Sequence, residues 1–209
     1  HLAQQGFFLT LEGSEGVGKT TNLAFVERYL KAHDKEVVVT REPGGTDLAE
    51  SIRGVLLAHH QEKVAQDTEL LLMFASRAQH IDQLIRPALA EGKVVICSRF
   101  TDSTYAYQGG GRGIAHERIA VLEKWCHEDL QPDLTLLFDL PVEVGKQRID
   151  QRAELDRIEQ QELDFFQRVR DAYLQRAKGQ KRFEIIDASL PLDTVQQHIG
   201  EILQRSLGL

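Results

Sequence analysis

Gly13-Ser14-Glu15-Gly16-Val17-Gly18-Lys19-Thr20 is the stretch on which the reading of this chain turns. It fits the spacing G-x-x-x-x-G-K-[ST] without a departure, and its flanks are the ones that spacing needs. A short apolar run, Phe7–Glu12, precedes it, and a helical pattern from Gly18 to about Lys31 follows. Glycines placed this way let successive backbone N–H groups point inward around an anion. Lys19 can then reach the outer phosphates of a nucleoside triphosphate, and the Thr20 hydroxyl can ligate Mg²⁺. Thr21, next along, completes the predicted cradle.

Outward from this loop, strands and helices alternate. Glu36–Arg41, Lys93–Ser98, Leu134–Asp139 and Arg182–Asp187 are short β-branched or apolar runs and read as strands two to five. Helical patterns lie between them: Thr46 capping a helix through Leu57, a long core helix over Thr68–Glu91 with Pro87 near its end, then Ala115–His127, Val142–Arg152 and Glu162–Lys178. Leu192–Leu207 closes the chain. Thr101–Gly113 is polar and glycine-rich and reads as a connection. The alternation predicts an α/β, three-layer fold of the P-loop NTPase type, a five-stranded parallel sheet with helices on both faces. All 209 residues are expected to form one domain, with 1–5 set aside as an expression scar or trimmed start. On such sheets ligands bind outside the carboxyl ends of the strands. That rule singles out Glu12–Thr20, Arg41–Thr46, Ser98–Gly113 and the stretch after Asp139.

Composition narrows the class further. No run of eighteen apolar residues exists, so no membrane span is expected. A formal charge of −7 argues against a broad nucleic-acid surface. Cys97 and Cys126 show neither a disulfide framework nor metal spacing, which makes a cytoplasmic protein the expectation. Asn22 is the only asparagine, so an Asn-Lys-x-Asp guanine reader cannot exist here. Asp139 could supply a metal-directed carboxylate at the end of an apolar strand; a structural strand-end role is the favoured alternative.

Four arginines fall at or near the ligand edge: Arg41 at the end of strand two, Arg99 directly after strand three, Arg53 and Arg77 on facing helices. Moving a phosphoryl group between two bound phosphates needs more cations than Lys19 and Mg²⁺ provide, and guanidinium groups give bidentate, permanently charged contacts. The alternative for each is a solvated charge or an ion pair with Glu42 or Glu69.

Three further stretches carry a resemblance: Thr40-Arg41-Glu42-Pro43-Gly44-Gly45-Thr46, Tyr105-Ala106-Tyr107-Gln108-Gly109-Gly110-Gly111-Arg112-Gly113 and Leu155-Asp156-Arg157-Ile158-Glu159. With the phosphate loop, in this order from Phe7 to about Asp187, the chain resembles bacterial thymidylate kinases. The resemblance implies transfer of the γ-phosphoryl of ATP to dTMP, giving dTDP on the route to dTTP, with Mg²⁺ and as a homodimer. It implies that Arg41 and Arg99 hold the acceptor phosphate, with Glu42 beside them, and that Arg53 lies near that phosphate or the sugar. Arg77 would bond the thymine carbonyl, and Thr104 and Gln108 would line the base. Tyr107 would exclude a 2′-hydroxyl, and Glu15 would contact the 3′-hydroxyl. The aromatic expected against thymine sits four residues before the matching arginine; Met73 occupies that place here and Phe74 follows, so Phe74 is the candidate. Ser98 stands where the family usually has Asp, leaving Ser98 and Glu42 as candidates to reach the metal through water. Ala188 and Ser189 are placed near adenine by element order alone.

The loop's variable positions contain no basic residue, which is similar to the family members whose catalytic arginine lies in a lid. Arg152, with Arg148 or Arg157, is the resulting candidate for stabilising the transferred group, on a mobile lid at about 148–160. Arg148 is alternatively a partner for adenine.

Overall fold

A computed structural model describes residues 6–209; the proposed scar at 1–5 lies outside the described residues. Five strands, β1 (Phe7–Glu12), β2 (Val37–Arg41), β3 (Val94–Ser98), β4 (Leu134–Asp139) and β5 (Phe183–Asp187), form one sheet in the order β2-β3-β1-β4-β5, every neighbouring pair parallel. The chain therefore has the expected α/β fold. The central strands are buried on both faces, which is why they read as unbroken apolar runs.

Successive side chains divide between the two faces. Leu9, Leu11, Ile96, Leu136 and Phe138 pack with α1 (Lys19–Ala32) and α9 (Leu192–Leu207), the latter through Val195, Ile199, Ile202 and Leu203. Phe8, Val95 and Cys97 face Ile81, Ile85 and Ala88. Leu137 meets Val142 and Ile149 of α7 (Val142–Asp150) and Val169 and Tyr173 of α8 (Leu163–Ala177). The register sets Ser98 beside both Leu11 and Arg41, and Glu12 beside Leu137, so the strand ends that carry the candidate residues form one edge.

Two elements differ from expectation. The long core helix is interrupted: α3 (Gln66–His80) passes through a π-helical turn, Ile81–Ile85, into α4 (Arg86–Ala90). Pro87 has no N–H to return to the preceding turn, and a widened turn accommodates it. The glycine-rich stretch after β3 is not a loose connection. It forms α5 (Thr101–Thr104) and a π-helical segment, Tyr105–Gly111, before α6 (His116–His127). Its glycines serve contact. A Cβ at Gly110 would stand 2.6 Å from the Ala172 Cβ and 2.8 Å from the Arg168 carbonyl oxygen, and one at Gly111 would strike the Phe165 ring at 2.5 Å. This is how a backbone rich in polar residues comes to be buried against α8. α2 (Asp47–Leu57) is capped as expected, Thr46 Oγ1 accepting from Ala49 N at 3.3 Å.

Gly110→Ala is expected to lower stability by about 1–3 kcal/mol through overpacking against α8. A urea denaturation midpoint equal to wild type would show that the segment yields.

Candidate active site

The loop after β1 closes around Lys19. Its ammonium donates to the carbonyls of Gly13 (3.0 Å) and Ser14 (3.1 Å). Gly13 and Gly16 have φ of 141° and 76°, and a Cβ at either would collide with backbone, Phe138 O at 2.5 Å and Gly145 O at 2.4 Å. The loop is thus wedged between β4 and α7. Beside it lies a cleft of about 380 Å³ that includes Lys19, Thr20, Thr21, Arg148 and Arg152 in its walls. Burial and then the nearby Arg99 guanidinium pull the Lys19 ammonium down to about 7.

A second cavity of about 720 Å³ adjoins the first, and Glu15, Thr20, Ser98, Arg99 and Arg152 belong to both. Arg99 is the junction. Its backbone is left-handed, φ 70°, a conformation a residue with a Cβ adopts only when its surroundings impose it. Arg99 N donates to Leu11 O at 2.9 Å, and the next amide, Phe100 N, donates to Glu12 at 2.7 Å. The guanidinium then reaches Glu15 (2.8 Å), the Gly13 carbonyl (3.0 Å), the Tyr107 hydroxyl (3.1 Å) and the Tyr173 hydroxyl (3.2 Å). Tyr107 also donates to Glu15 at 3.0 Å. Burial alone would raise the Glu15 carboxyl; Arg99 and Lys19 outweigh it and hold the group below its ordinary value.

The wall of the larger cavity holds Arg41, Arg53, Arg77, Arg99 and Arg152. Arg41 pairs with Glu50 (2.8 Å), Arg53 donates to the Pro43 carbonyl (2.8 Å), and Arg152 pairs with Glu159. Arg77 is buried between the rings of Phe74 and Phe100, its guanidinium carbon 4.8 and 5.4 Å from their centroids. It donates to Glu42 (2.6 Å) and to Thr104 Oγ1 (3.0 Å). Gln108 also lines the cavity. Its Nε2 donates to Glu69 at 2.9 Å, while its buried Oε1 meets no donor among the described residues.

Several expectations need correction. Phe74 is not in the cavity wall; it lies in the core with Leu70, Tyr105, Ile114 and Ile119, beneath Arg77, and Met73 lines the cavity instead. On a helix, adjacent positions point about 100° apart, which sets Met73 toward the cavity and Phe74 toward the core. Arg157 is turned away from both cavities, held by the Leu56 carbonyl (2.8 Å) and Glu69 (2.7 Å). Both oxygens of Glu42 are engaged, one by Arg77 and the other by His80 Nδ1 at 2.7 Å, so it braces the arginine rather than facing a metal. Asp139 needs no correction: its two-pronged pair with Arg170 (2.9 and 3.0 Å) is in line with the strand-end role favoured for it. Arg148 donates to the Gly16 carbonyl at 2.9 Å, beside the phosphate loop. Ala188 and Ser189 follow β5 but belong to neither cavity wall.

Sequence reasoning missed Glu12, Ser103 and Tyr173. Glu12 is fully buried and accepts from Phe100 N, Ser103 and the Tyr173 hydroxyl; burial, and then Asp102, push its carboxyl up to about 7. The only signal was an acid ending an apolar strand immediately before the loop. Tyr173 gave none, since its place depends on how α8 packs.

A phosphate cradle opening into a second cavity lined with arginines, at the carboxyl edge of a parallel sheet, defines a P-loop phosphotransferase with a phosphorylated acceptor. The comparisons with known proteins agree. The family model described as thymidylate kinase matches residues 11–199. The thymidylate kinase of Pseudomonas entomophila (strain L48) is 59% identical over 95% of this chain and 95% of its own length. That of Pseudomonas putida (strain F1) is 58% identical over the same shares, and that of Alcanivorax borkumensis (strain SK2) is 56% identical over 95% of this chain and 96% of its own. The chain belongs to the thymidylate kinase family, whose members are nucleoside monophosphate kinases.

The depressed Lys19 sets a sign for pH dependence. Between about 7 and the ordinary lysine value of 10.5 the unfolded chain binds a proton that the folded chain does not, so this group makes stability rise with pH in that window. Urea titrations from pH 7 to 9, without nucleotide, should show a shallower rise in Lys19→Met than in wild type. Equal slopes would place the Lys19 ammonium in an ordinary solvated environment.

Proposed function

We propose that the chain transfers the γ-phosphoryl group of ATP directly to the phosphate of dTMP, giving ADP and dTDP, with no covalent enzyme intermediate. One observation carries this reading: the two cavities share Arg99, and Arg99 is bonded at once to the phosphate loop and to the wall of the neighbouring cavity. ATP phosphates lie in the loop, held by its amides and Lys19. The acceptor phosphate lies among Arg41, Arg53 and Arg99, with its base toward Arg77, Thr104 and Gln108. A monophosphate oxygen is already anionic, so no strong general base is needed, and catalysis consists of alignment and charge neutralisation.

Tyr107 stands where a 2′-hydroxyl would enter, and Glu15, tied to the same hydroxyl and guanidinium, is placed to take the 3′-hydroxyl. Residues of about 148–160 act as a lid that brings Arg152 over the transferred group and excludes water, with Arg148 beside the donor phosphates. Thr20 and Ser98, hydroxyls in the walls of both cavities, would hold Mg²⁺; no cluster of three acidic, histidine or cysteine ligands exists among the described residues. Such a donor set suits an ion that retains waters and is carried by phosphates. When bound, Mg²⁺ neutralises charge on the β- and γ-oxygens.

An ADP-release assay over dTMP, dUMP, dCMP and dGMP tests the reading, and dTMP is expected to be the best acceptor. Slow ATP hydrolysis unaffected by any monophosphate would instead make the loop a conformational switch. Lys19→Ala should reduce turnover by about 100-fold or more with the fold intact, as expected when a charge-stabilising donor is removed; near-normal turnover would remove Lys19 from the chemistry.

The assembly is proposed to be a homodimer. α3 packs beside α2 and α6, and these three helices leave Leu48, Val55, Leu71, Val121 and Trp125 exposed, Trp125 at 83%. An apolar surface of that kind is characteristic of a subunit contact. Light scattering should give twice the chain mass, reduced to one chain in Leu71→Glu; a wild-type monomer at micromolar concentration would exclude it. No helix among the described residues is long and apolar enough to cross a membrane, and a cytoplasmic enzyme is proposed.

A further inference from the structure

Glu69 sits on α3 two turns before Arg77, and its side chain is 2% exposed. Its Oε1 accepts from Gln108 Nε2 (2.9 Å) and Arg112 Nε (3.2 Å), and its Oε2 from Arg112 Nη2 (3.2 Å) and Arg157 Nη1 (2.7 Å). Burial opposes ionisation here. Arg112, Gln108 and Arg157 overcome it and hold the carboxyl below its ordinary value. An ionised carboxylate offers only lone pairs, so the Gln108 amide must turn its NH₂ toward Glu69. The opposite orientation would set two acceptors against each other inside the protein.

That constraint has a consequence at the cavity. With Nε2 committed to Glu69, Gln108 is left with Oε1, a buried acceptor without a donor among the described residues. Buried acceptors of this kind are rare, and each calls for a partner. In the same wall Arg77 commits Nε to Glu42 and Nη1 to Thr104, leaving Nη2 as a donor. One donor and one acceptor complement a pyrimidine carrying a 4-oxo group and an N3–H, as in thymine or uracil. Cytosine reverses both, with a 4-amino donor and an unprotonated N3.

We propose that Glu69 is a specificity-determining positioning residue, which acts through Gln108 by locking its amide so that the cavity presents an acceptor to N3 of the base and rejects cytosine. This rests on the proposed placement of the acceptor base against Arg77 and Gln108. Glu69 touches no reacting atom; its effect is to deny Gln108 the flipped orientation that would suit the wrong base.

Glu69→Gln is the direct test, because an amide at 69 can donate to Gln108 Oε1 and permit the flip. Measured with dTMP, dUMP and dCMP, kcat/KM for dTMP should fall by about 10-fold or more, carried mainly by KM. The dTMP-to-dCMP preference should fall by a similar factor, while dTMP and dUMP move together. A parallel loss for all three monophosphates would make Glu69 merely structural and overturn the proposal. Gln108→Ala separates the two levels. If it leaves dTMP kinetics unchanged, the base does not lie at Gln108 and the placement itself fails. If it weakens dTMP while Glu69→Gln leaves the dTMP-to-dCMP preference intact, only the role of Glu69 falls. Should Glu69→Gln not fold, Glu69→Asp keeps the charge for Arg112 and Arg157 while withdrawing from Gln108, and the same loss of preference is required of it.

Discussion

The guanidinium of Arg99 is the constraint on which the candidate site depends. It is fixed from three directions at once: by a left-handed turn directly after β3, by the Gly13 carbonyl and Glu15 of the phosphate loop, and by the hydroxyls of Tyr107 and Tyr173 from two other elements. A backbone conformation costing on the order of 1–2 kcal/mol persists only when its surroundings over-determine it. Here they do, because Glu12 also anchors the following amide. The sheet order makes this possible: β3 lies next to β1, so the residue after β3 falls beside the loop after β1.

The other arginines divide by burial. Arg77 and Glu42 are each 2% exposed, their pair is reinforced by His80, and breaking it would strand a charge in the core. Such a pair is permanent, and the guanidinium it fixes is suited to reading a neutral base. Arg41 and Glu50 are 54% and 39% exposed, and Arg152 is 49% exposed. Exposed pairs are worth little, so these guanidiniums can exchange a carboxylate for a phosphate at small cost. One residue type thus stands in two electrostatic settings, and depth in the protein separates them.

How far the sequence could be read follows the same division. The sheet was legible because central parallel strands are apolar on both faces and the phosphate loop marks the first of them. Leu192–Leu207 was legible to the residue through its helical period. The stretch after β3 was not, because Gly109-Gly110-Gly111 carries the same letters whether it is slack or pressed against α8, and only the partner decides. Arg157 and Arg152 look equivalent along the chain; their separation depends on Glu69 and the Leu56 carbonyl, which come from remote segments. Met73 and Phe74 differ by one helical step, and it is the aromatic one that lies in the core, beneath the Arg77 guanidinium. Glu12, Ser103 and Tyr173 meet across separations of up to 161 residues, beyond any local pattern.

Lys19 and Glu12 close the electrostatic account. Burial draws the lysine down to about 7 and lifts the carboxylate to about 7, at opposite ends of one loop. Arg99 and, less strongly, Arg152 press the lysine further by repelling its charge, while Glu15 and Glu12 draw it back part of the way. A site in which cations destabilise one another is stabilised by an incoming anion, and most by the arrangement with most negative charge between them. In the proposed in-line transfer that arrangement is the one in which donor and acceptor phosphates stand closest. Under the proposed mechanism, the repulsion that Arg99 and Arg152 exert on Lys19 would be relieved most at the transition state, which is the condition for binding energy to appear as rate rather than as affinity.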